Sequence, residues 1–129
     1  MFTADQIKAA HSKVKSGADF PSYIKEIRSL GVTHYETYVE DGHVDYHAGS
    51  DYMVTVPAKY ESLKIEDTPK TEEFKAGLSA HQKGESDYLT FIKMCAGMGI
   101  EKWEICMDKM TCTYFDKKGS QILVEEIPQ

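Results

Sequence analysis

The sequence lacks the features that mark secreted, disulfide-rich or membrane-spanning proteins. Its 129 residues include three cysteines, with no CxxC pair and no zinc-ligand spacing. The first residues show no basic segment followed by an apolar one, so no signal peptide is expected. The longest apolar runs, such as residues 122–124, are far shorter than the roughly 18 residues that a membrane span requires. We therefore expect a soluble, cytoplasmic protein.

Positive charge is also scarce. Fifteen Lys and Arg stand against twenty-one Asp and Glu, which gives a formal net charge of −6. This balance argues against nucleic-acid and anionic-membrane partners. What the chain does contain is 41% hydrophobic and 11% aromatic side chains, enough for one folded domain over residues 1–129.

Hydrophobic spacing and capping residues predict four helices. The first begins with a capping box formed by Thr3 and Gln6 and carries an apolar stripe that reaches Val14. Pro21 stands in the first turn of the second, where its missing N–H is tolerated. The residues expected near the helix limits are Thr3 and Ser16-Gly17, Asp19 and Gly31, Thr71 and Gly84, and Tyr88 and Gly99.

Alternating apolar and polar residues predict six strands. Asp41-Gly42 lies between two such runs, a strong signal for a hairpin with a two-residue type I′ turn. A third strand near 52–56 ends at Pro57, and Leu63 and Ile65 are expected to fix the following connection to the core. The remaining strands are predicted near 102–108, 111–116 and 121–127.

The order helix, helix, hairpin, strand occurs twice. Identical residues 68 positions apart are Ile24 and Ile92, Lys25 and Lys93, Gly31 and Gly99, Glu36 and Glu104, and Tyr46 and Tyr114. Any two helix–glycine–strand units share part of this pattern, so coincidence is the alternative. The predicted fold class is α+β: two pseudo-repeated ααβββ units (about 3–67 and 71–128) related by a pseudo-two-fold axis, with an antiparallel sheet packed against about four helices.

A two-residue turn at Asp41-Gly42 collects ionisable side chains on one face of the first hairpin. The opposed residues would be Glu36 with His47, Tyr38 with Asp45, and Glu40 with His43. His34 lies on the same face, because side chains alternate along a strand. The other face carries Tyr35, Thr37, Val39, Val44 and Tyr46 and is predicted to face the core.

This polar face admits two interpretations. Glu36, His47, Asp45 and Tyr38 are candidates for acid–base catalysis, and His34, Glu36 and His47 for a two-His, one-carboxylate metal site. The alternative is a solvated face whose opposed charges contribute a few tenths of a kcal/mol each. No catalytic residue, metal ligand or cofactor is therefore firmly predicted.

The cysteines and the other histidines show no catalytic pattern. In the predicted second hairpin Cys106 opposes Thr113 and Cys112 opposes Met107, on opposite faces, so they should not bond each other. Cys95 and Cys112 are expected in the core, with Cys106 partly exposed. His11 and His81 lie on apolar helical stripes and are expected to be packed, hydrogen-bonded histidines.

Several strings of the sequence resemble a known bacterial family. They are Thr3–His11, Leu30–Thr37, Asp41-Gly42, Pro57–Tyr60, and Glu101–Trp103 through Met110–Tyr114. The chain resembles, over almost its whole length, the family catalogued as domain of unknown function 1398, often labelled "phage envelope protein". The resemblance implies a small stand-alone bacterial protein and no particular activity, cofactor or catalytic residue.

The absence of catalytic signatures, together with an acidic, tyrosine-rich chain, favours a binding or interaction module rather than an enzyme. Eight tyrosines suit a protein interface or a groove for a small molecule. The competing hypothesis is a small metal-dependent or acid–base enzyme that uses the first hairpin. We expect a monomer or a weak homodimer. Ile122 and Val124 of the last strand leave a homodimer open if they lie at an edge, whereas Glu125 and Glu126 protect that edge and favour the monomer.

Overall fold

The computed structural model describes residues 2–14 and 19–127. These residues form an α+β fold with four helices and a six-stranded antiparallel sheet. The helices are α1 (Ala4–His11), α2 (Phe20–Ser29), α3 (Thr71–Gln82) and α4 (Tyr88–Gly97). The strands are β1 (His34–Tyr38), β2 (Val44–Ala48), β3 (Tyr52–Val56), β4 (Lys102–Cys106), β5 (Thr111–Phe115) and β6 (Gln121–Glu126).

The helix starts follow the predicted caps. Thr3 and Gln6 make both hydrogen bonds of the capping box, and Pro21 occupies the first turn of α2. The prediction that α1 extends to Val14 is wrong, since the helix ends at His11. The Ser12 hydroxyl donates to the Ala9 carbonyl just beyond that end, a local bond that competes with helix continuation. The predicted stop at Ser16-Gly17 lies outside the described residues.

The two ααβββ units contribute adjacent halves of one sheet, in the order β3-β2-β1-β4-β5-β6. At its centre β1 pairs with β4, and Glu36 lies opposite its own equivalent, Glu104. Flanking pairs are Tyr35 with Ile105 and Thr37 with Trp103. Exchanging equivalent residues turns one of these pairs into the other. The pairing therefore has the symmetry of a two-fold axis between the glutamates.

The first hairpin is paired two residues away from the predicted register. The observed partners are His34 with His47, Tyr35 with Tyr46, Glu36 with Asp45, and Thr37 with Val44. A type I′ turn needs positive φ at both central residues, but only Gly42 has it (81°) and Asp41 does not. The Gly42 N–H instead donates to the Tyr38 carbonyl at 2.9 Å, which makes a longer connection.

The second hairpin differs from its predicted register in the same way. Cys106 lies opposite Thr111, and Cys112 lies opposite Ile105. A shift of two residues keeps every side chain on its predicted face, because the side-chain period of a strand is two. Cys112 is accordingly buried and Cys106 is partly exposed, as predicted; Cys95 of α4 is also buried, as predicted.

The core lies between the four helices and one face of the sheet. Of the side chains predicted to face it, Tyr35, Tyr46, Trp103, Ile105 and Tyr114 are all buried. The face assignment is therefore confirmed. None of the described helices is long and apolar enough to cross a membrane.

The connection between the two units packs across the loop of the first hairpin. Ile65 is buried and Leu63 packs against the core, as predicted. The Tyr60 hydroxyl donates to the Val39 carbonyl at 2.6 Å, and its ring lies against Gly42, where a Cβ would come within 2.7 Å of a ring carbon. This packing holds the segment beside the helix–sheet core.

Candidate functional site: a cavity between the repeats

The polar side chains of the first hairpin lie together on the sheet face opposite the core. Glu36 is at their centre. Its Oε2 accepts a hydrogen bond from Lys102 Nζ at 2.9 Å and another from the Tyr38 hydroxyl at 3.3 Å. Burial alone would raise the pKa of Glu36, but Lys102, Tyr38 and His47 hold this pKa below its ordinary value. Lys102 also offsets the repulsion between Glu36 and the opposed Glu104.

None of the three predicted pairs in this group is directly opposed across the hairpin, but the side chains of one pair, Glu36 and His47, are still in contact. Glu36 does not oppose His47, yet His47 Nε2 lies 3.5 Å from Glu36 Oε1 on the diagonal. Tyr38 stacks on His43 at a 4.3 Å ring-centroid distance rather than opposing Asp45. His43 Nδ1 lies 2.6 Å from Asp41 Oδ1, so the carboxylate partner of His43 is Asp41 and not the predicted Glu40. Asp45 accepts a hydrogen bond from the Thr55 hydroxyl of β3.

The two histidines are stacked rather than convergent. The rings of His34 and His47 are 4.3 Å apart and within 4° of parallel. Imidazole lone pairs lie in the ring plane, so two stacked rings do not point at one ion. Within residues 2–14 and 19–127, no group of three or more His, Cys, Asp or Glu is arranged to hold a metal ion.

A cavity of about 450 Å³ lies on the other side of the sheet, between the helix pairs of the two units. Both units contribute equivalent aromatic side chains to its wall: Tyr23 and Phe91, Tyr35 and Trp103, and Tyr46 and Tyr114. It therefore lies beside the approximate two-fold axis. We call it the inter-repeat cavity.

The tyrosine hydroxyls of this wall are not all satisfied. Those of Tyr23 and Tyr46 share a hydrogen bond of 2.7 Å, and burial raises the pKa of Tyr46 to about 12. Tyr35 is only 3% exposed, and none of the described residues hydrogen-bonds to its hydroxyl. This hydroxyl is therefore free to donate to a polar atom of a ligand in the cavity. Among the described residues, the buried side-chain polar atom that lacks a hydrogen-bond partner is His47 Nε2, on the opposite face of the sheet.

One histidine from each unit lines the same cavity. His11 packs against Tyr23 and Tyr88 at centroid distances of 5.4 and 6.3 Å. His81 stacks on Phe91 at 4.2 Å, with its Nδ1 within 3.2 Å of the Ser86 carbonyl. Packing and hydrogen bonding were predicted for both histidines; among the described residues, the hydrogen bond is observed for His81 and not for His11.

A family model now identifies the chain's relatives. The model described as "Protein of unknown function (DUF1398)" matches residues 8–126. The chain belongs to this family. No curated protein matches it. The match confirms the resemblance and assigns no reaction, so the function of this DUF1398 protein has to be argued from its geometry.

Sequence reasoning missed the inter-repeat cavity of this DUF1398 protein. It placed Tyr35 and Tyr46 in the core, but did not ask where their hydroxyls would find partners. That question was the available signal, since buried tyrosines normally have a hydrogen-bond partner. Lys59, which lines the cavity, lay in a connection of unassigned structure.

Because of the two cavity histidines, we expect the free energy of unfolding to fall in mild acid. Burial lowers the pKa of His11, with Lys59 adding to the effect, and burial also lowers the pKa of His81. Unfolded histidine takes up a proton near pH 6.5, before the folded state does, so protons favour unfolding. Urea unfolding should show full stability above about pH 7 and a decline below about pH 6.5.

The double variant His11→Gln/His81→Gln tests the origin of that decline. It should lose less stability than the parent chain between about pH 7.5 and pH 5.5, a window above the titration of ordinary carboxylates. Equal losses in the two proteins would show that the histidines are not responsible.

Proposed function

We propose that this DUF1398 protein is a non-enzymatic binding module that holds a small, largely apolar organic molecule in the inter-repeat cavity. A volume of about 450 Å³ falls within the range of about 300–1,000 Å³ typical of ligand sites. Its wall combines aromatic rings from both units with a few polar groups, which is the usual composition of such sites.

The observation that carries the proposal is the Tyr35 hydroxyl. It belongs to a central strand, is fixed by packing among Tyr23 and Tyr46, and has no hydrogen-bond partner among the described residues. An acceptor atom of a bound molecule would supply the missing hydrogen-bond partner. Donors placed by rigid strands in this way orient ligands with little entropic cost.

An acid–base enzyme that uses Glu36, His47, Asp45 and Tyr38 has less support. Glu36 already accepts hydrogen bonds from Lys102 and Tyr38, and its lowered pKa makes it a weak base at neutral pH. The charge of −6 supports a protein that has neither nucleic-acid nor membrane partners. We further propose that it acts in the cytoplasm as a monomer or weak homodimer.

The test uses three probes that share one ring system: naphthalenemethanol, naphthoate and naphthylmethylammonium. Trp103 lines the cavity and is the single tryptophan, so its indole N–H signal reports occupancy in nitrogen–proton correlation NMR. We expect at least one probe to bind at one molecule per chain and to shift this signal. Failure of all three to shift it would contradict the proposal.

Tyr35→Phe should weaken binding of the preferred probe by up to about tenfold, the contribution of one buried hydrogen bond. Folding stability should stay the same or rise, because the hydroxyl has no protein partner. Tyr38→Phe is the matched control: it removes the same group from the same strand, on the opposite face. Calorimetric affinities that fall equally in both variants would exclude the assigned role of Tyr35.

A further inference from the structure

Lys59 is held at the inter-repeat cavity by the connection that crosses the first hairpin. Its backbone N–H donates to the Asp41 carbonyl at 2.8 Å, which fixes the start of the side chain. The side chain lines the cavity, and its ammonium lies 5.8 Å from the centre of the Tyr88 ring. A cation is therefore placed beside the aromatic wall.

No carboxylate of the described residues forms an ion pair with Lys59, as is also true of most other described lysines. Its charged neighbours include Lys8 and the ionisable His11. The residue as a whole is exposed, yet loss of hydration and the charge of Lys8 lower the pKa of its ammonium. An anion at this point would offset both effects by its attraction for the ammonium.

The acidic residues at the second unit's side of the cavity are differently placed. Glu125 accepts a hydrogen bond from Gln82 Nε2 at 2.9 Å, and Asp87 accepts one from the backbone N–H of Thr90 at 2.8 Å as the cap of α4. Glu126 is exposed to water. These hydrogen bonds leave the carboxylate charges in place, so the lysine with which a ligand carboxylate could pair is Lys59, at the first unit's side of the cavity.

We infer that the ligand of the inter-repeat cavity is an organic anion: an aromatic or alicyclic body that packs among the rings, with one carboxylate bound by Lys59 at the cavity wall. This inference rests on the proposed function. It adds the charge and the functional group of the ligand, which the aromatic wall alone does not specify. A cationic ligand held against the tyrosine rings is the competing class.

The three naphthalene probes separate these classes because they differ only in the charge of one substituent. Calorimetry should show naphthoate binding about tenfold more tightly than naphthalenemethanol, the scale expected for a charge-assisted hydrogen bond. Naphthylmethylammonium should bind more weakly than the alcohol. Raising the salt concentration should weaken naphthoate binding and leave the alcohol unaffected.

Lys59→Met tests the assigned residue. It should bring the affinities for naphthoate and the alcohol to within about twofold of each other, without weakening the alcohol. Lys25→Met makes the same change of charge on the exposed side of α2 and should preserve the tenfold preference. The alcohol also reports folding, since it binds only to an intact cavity.

The outcomes distinguish the preference for an anion from the existence of the ligand site. Binding of the alcohol or the ammonium probe at Trp103 without a preference for naphthoate would overturn the inference and leave the proposed function standing. A preference that survives in Lys59→Met would also overturn the inference. Absence of binding by every probe would overturn both.

Discussion

Replacing Gly99 with alanine should destabilise the fold by about 2–4 kcal/mol, a large part of the roughly 5–15 kcal/mol that stabilises a typical domain. Gly99 follows α4 with a φ of +80°, where an L-residue is strained by about 1–2 kcal/mol. A Cβ there would also lie 2.8 Å from the Thr68 carbonyl oxygen and 2.8 Å from Pro69 Cα. Backbone atoms cannot rotate away as a side chain can, so the connection would have to move.

Gly119→Ala is the matched control for this experiment. Its φ of +79° is nearly the same, but nothing lies within 4 Å of the added Cβ. This variant should lose only the conformational part, about 1–2 kcal/mol. Urea unfolding of both variants measures the difference. Equal losses would mean that the contact between α4 and the 68–69 backbone is not the constraint at Gly99.

Phe74→Ala should cost about 3–5 kcal/mol, as removal of a fully buried aromatic ring usually does. Phe74 of α3 is 0% exposed. The centroid of its ring lies 4.9 Å from that of Tyr114 on the sheet and 6.5 Å from that of Phe91 on α4. The substitution leaves a void beside the wall of the inter-repeat cavity. Ligand binding should weaken together with stability, because Tyr114 and Phe91 would lose their support.

Phe115→Ala provides the comparison on the opposite face of the sheet. Phe115 is partly exposed, and its ring lies 5.3 Å from Lys102 Nζ. Its truncation should cost about 1 kcal/mol and leave the cavity unchanged. Thermal and urea unfolding of the two variants check this order. A loss at Phe115 as large as that at Phe74 would mean that the core is not confined to the helix-covered face.

The sheet face and the inter-repeat cavity each contain a polar group that lacks a hydrogen-bond partner among the described residues. On the sheet face Glu36 accepts hydrogen bonds from Lys102 and Tyr38, whereas His47 Nε2 is buried without a hydrogen-bond partner. In the cavity the Tyr35 hydroxyl and the Lys59 ammonium have no acceptor from the described part of the chain. We propose the ligand site on the helix side of the sheet because the cavity lies there, whereas the rings of His34 and His47 on the other face are stacked and do not converge on one point.

Much of the fold was predictable because its signals are local. Capping at Thr3, the limits of α3 and α4, the position of β3 and the polar and core faces of both hairpins depend on a few neighbouring residues. The repeat was visible for the same reason, since Glu36 and Glu104 hold equivalent places in similar units. The interpretation that the units form a single sheet about a two-fold axis agrees with the observed strand pairing.

The amino-acid sequence by itself determined the elements, their order, the two units and the faces of the strands, because side-chain periodicity and caps act over short distances. Only the tertiary structure decided the register, since a slip of two residues leaves each residue of a strand on its predicted face. It alone also decided the pairing of β1 with β4, the path that brings Lys59 beside Tyr88, and the cavity left between the helix pairs. These features depend on contacts between residues far apart in the chain, which local patterns do not encode.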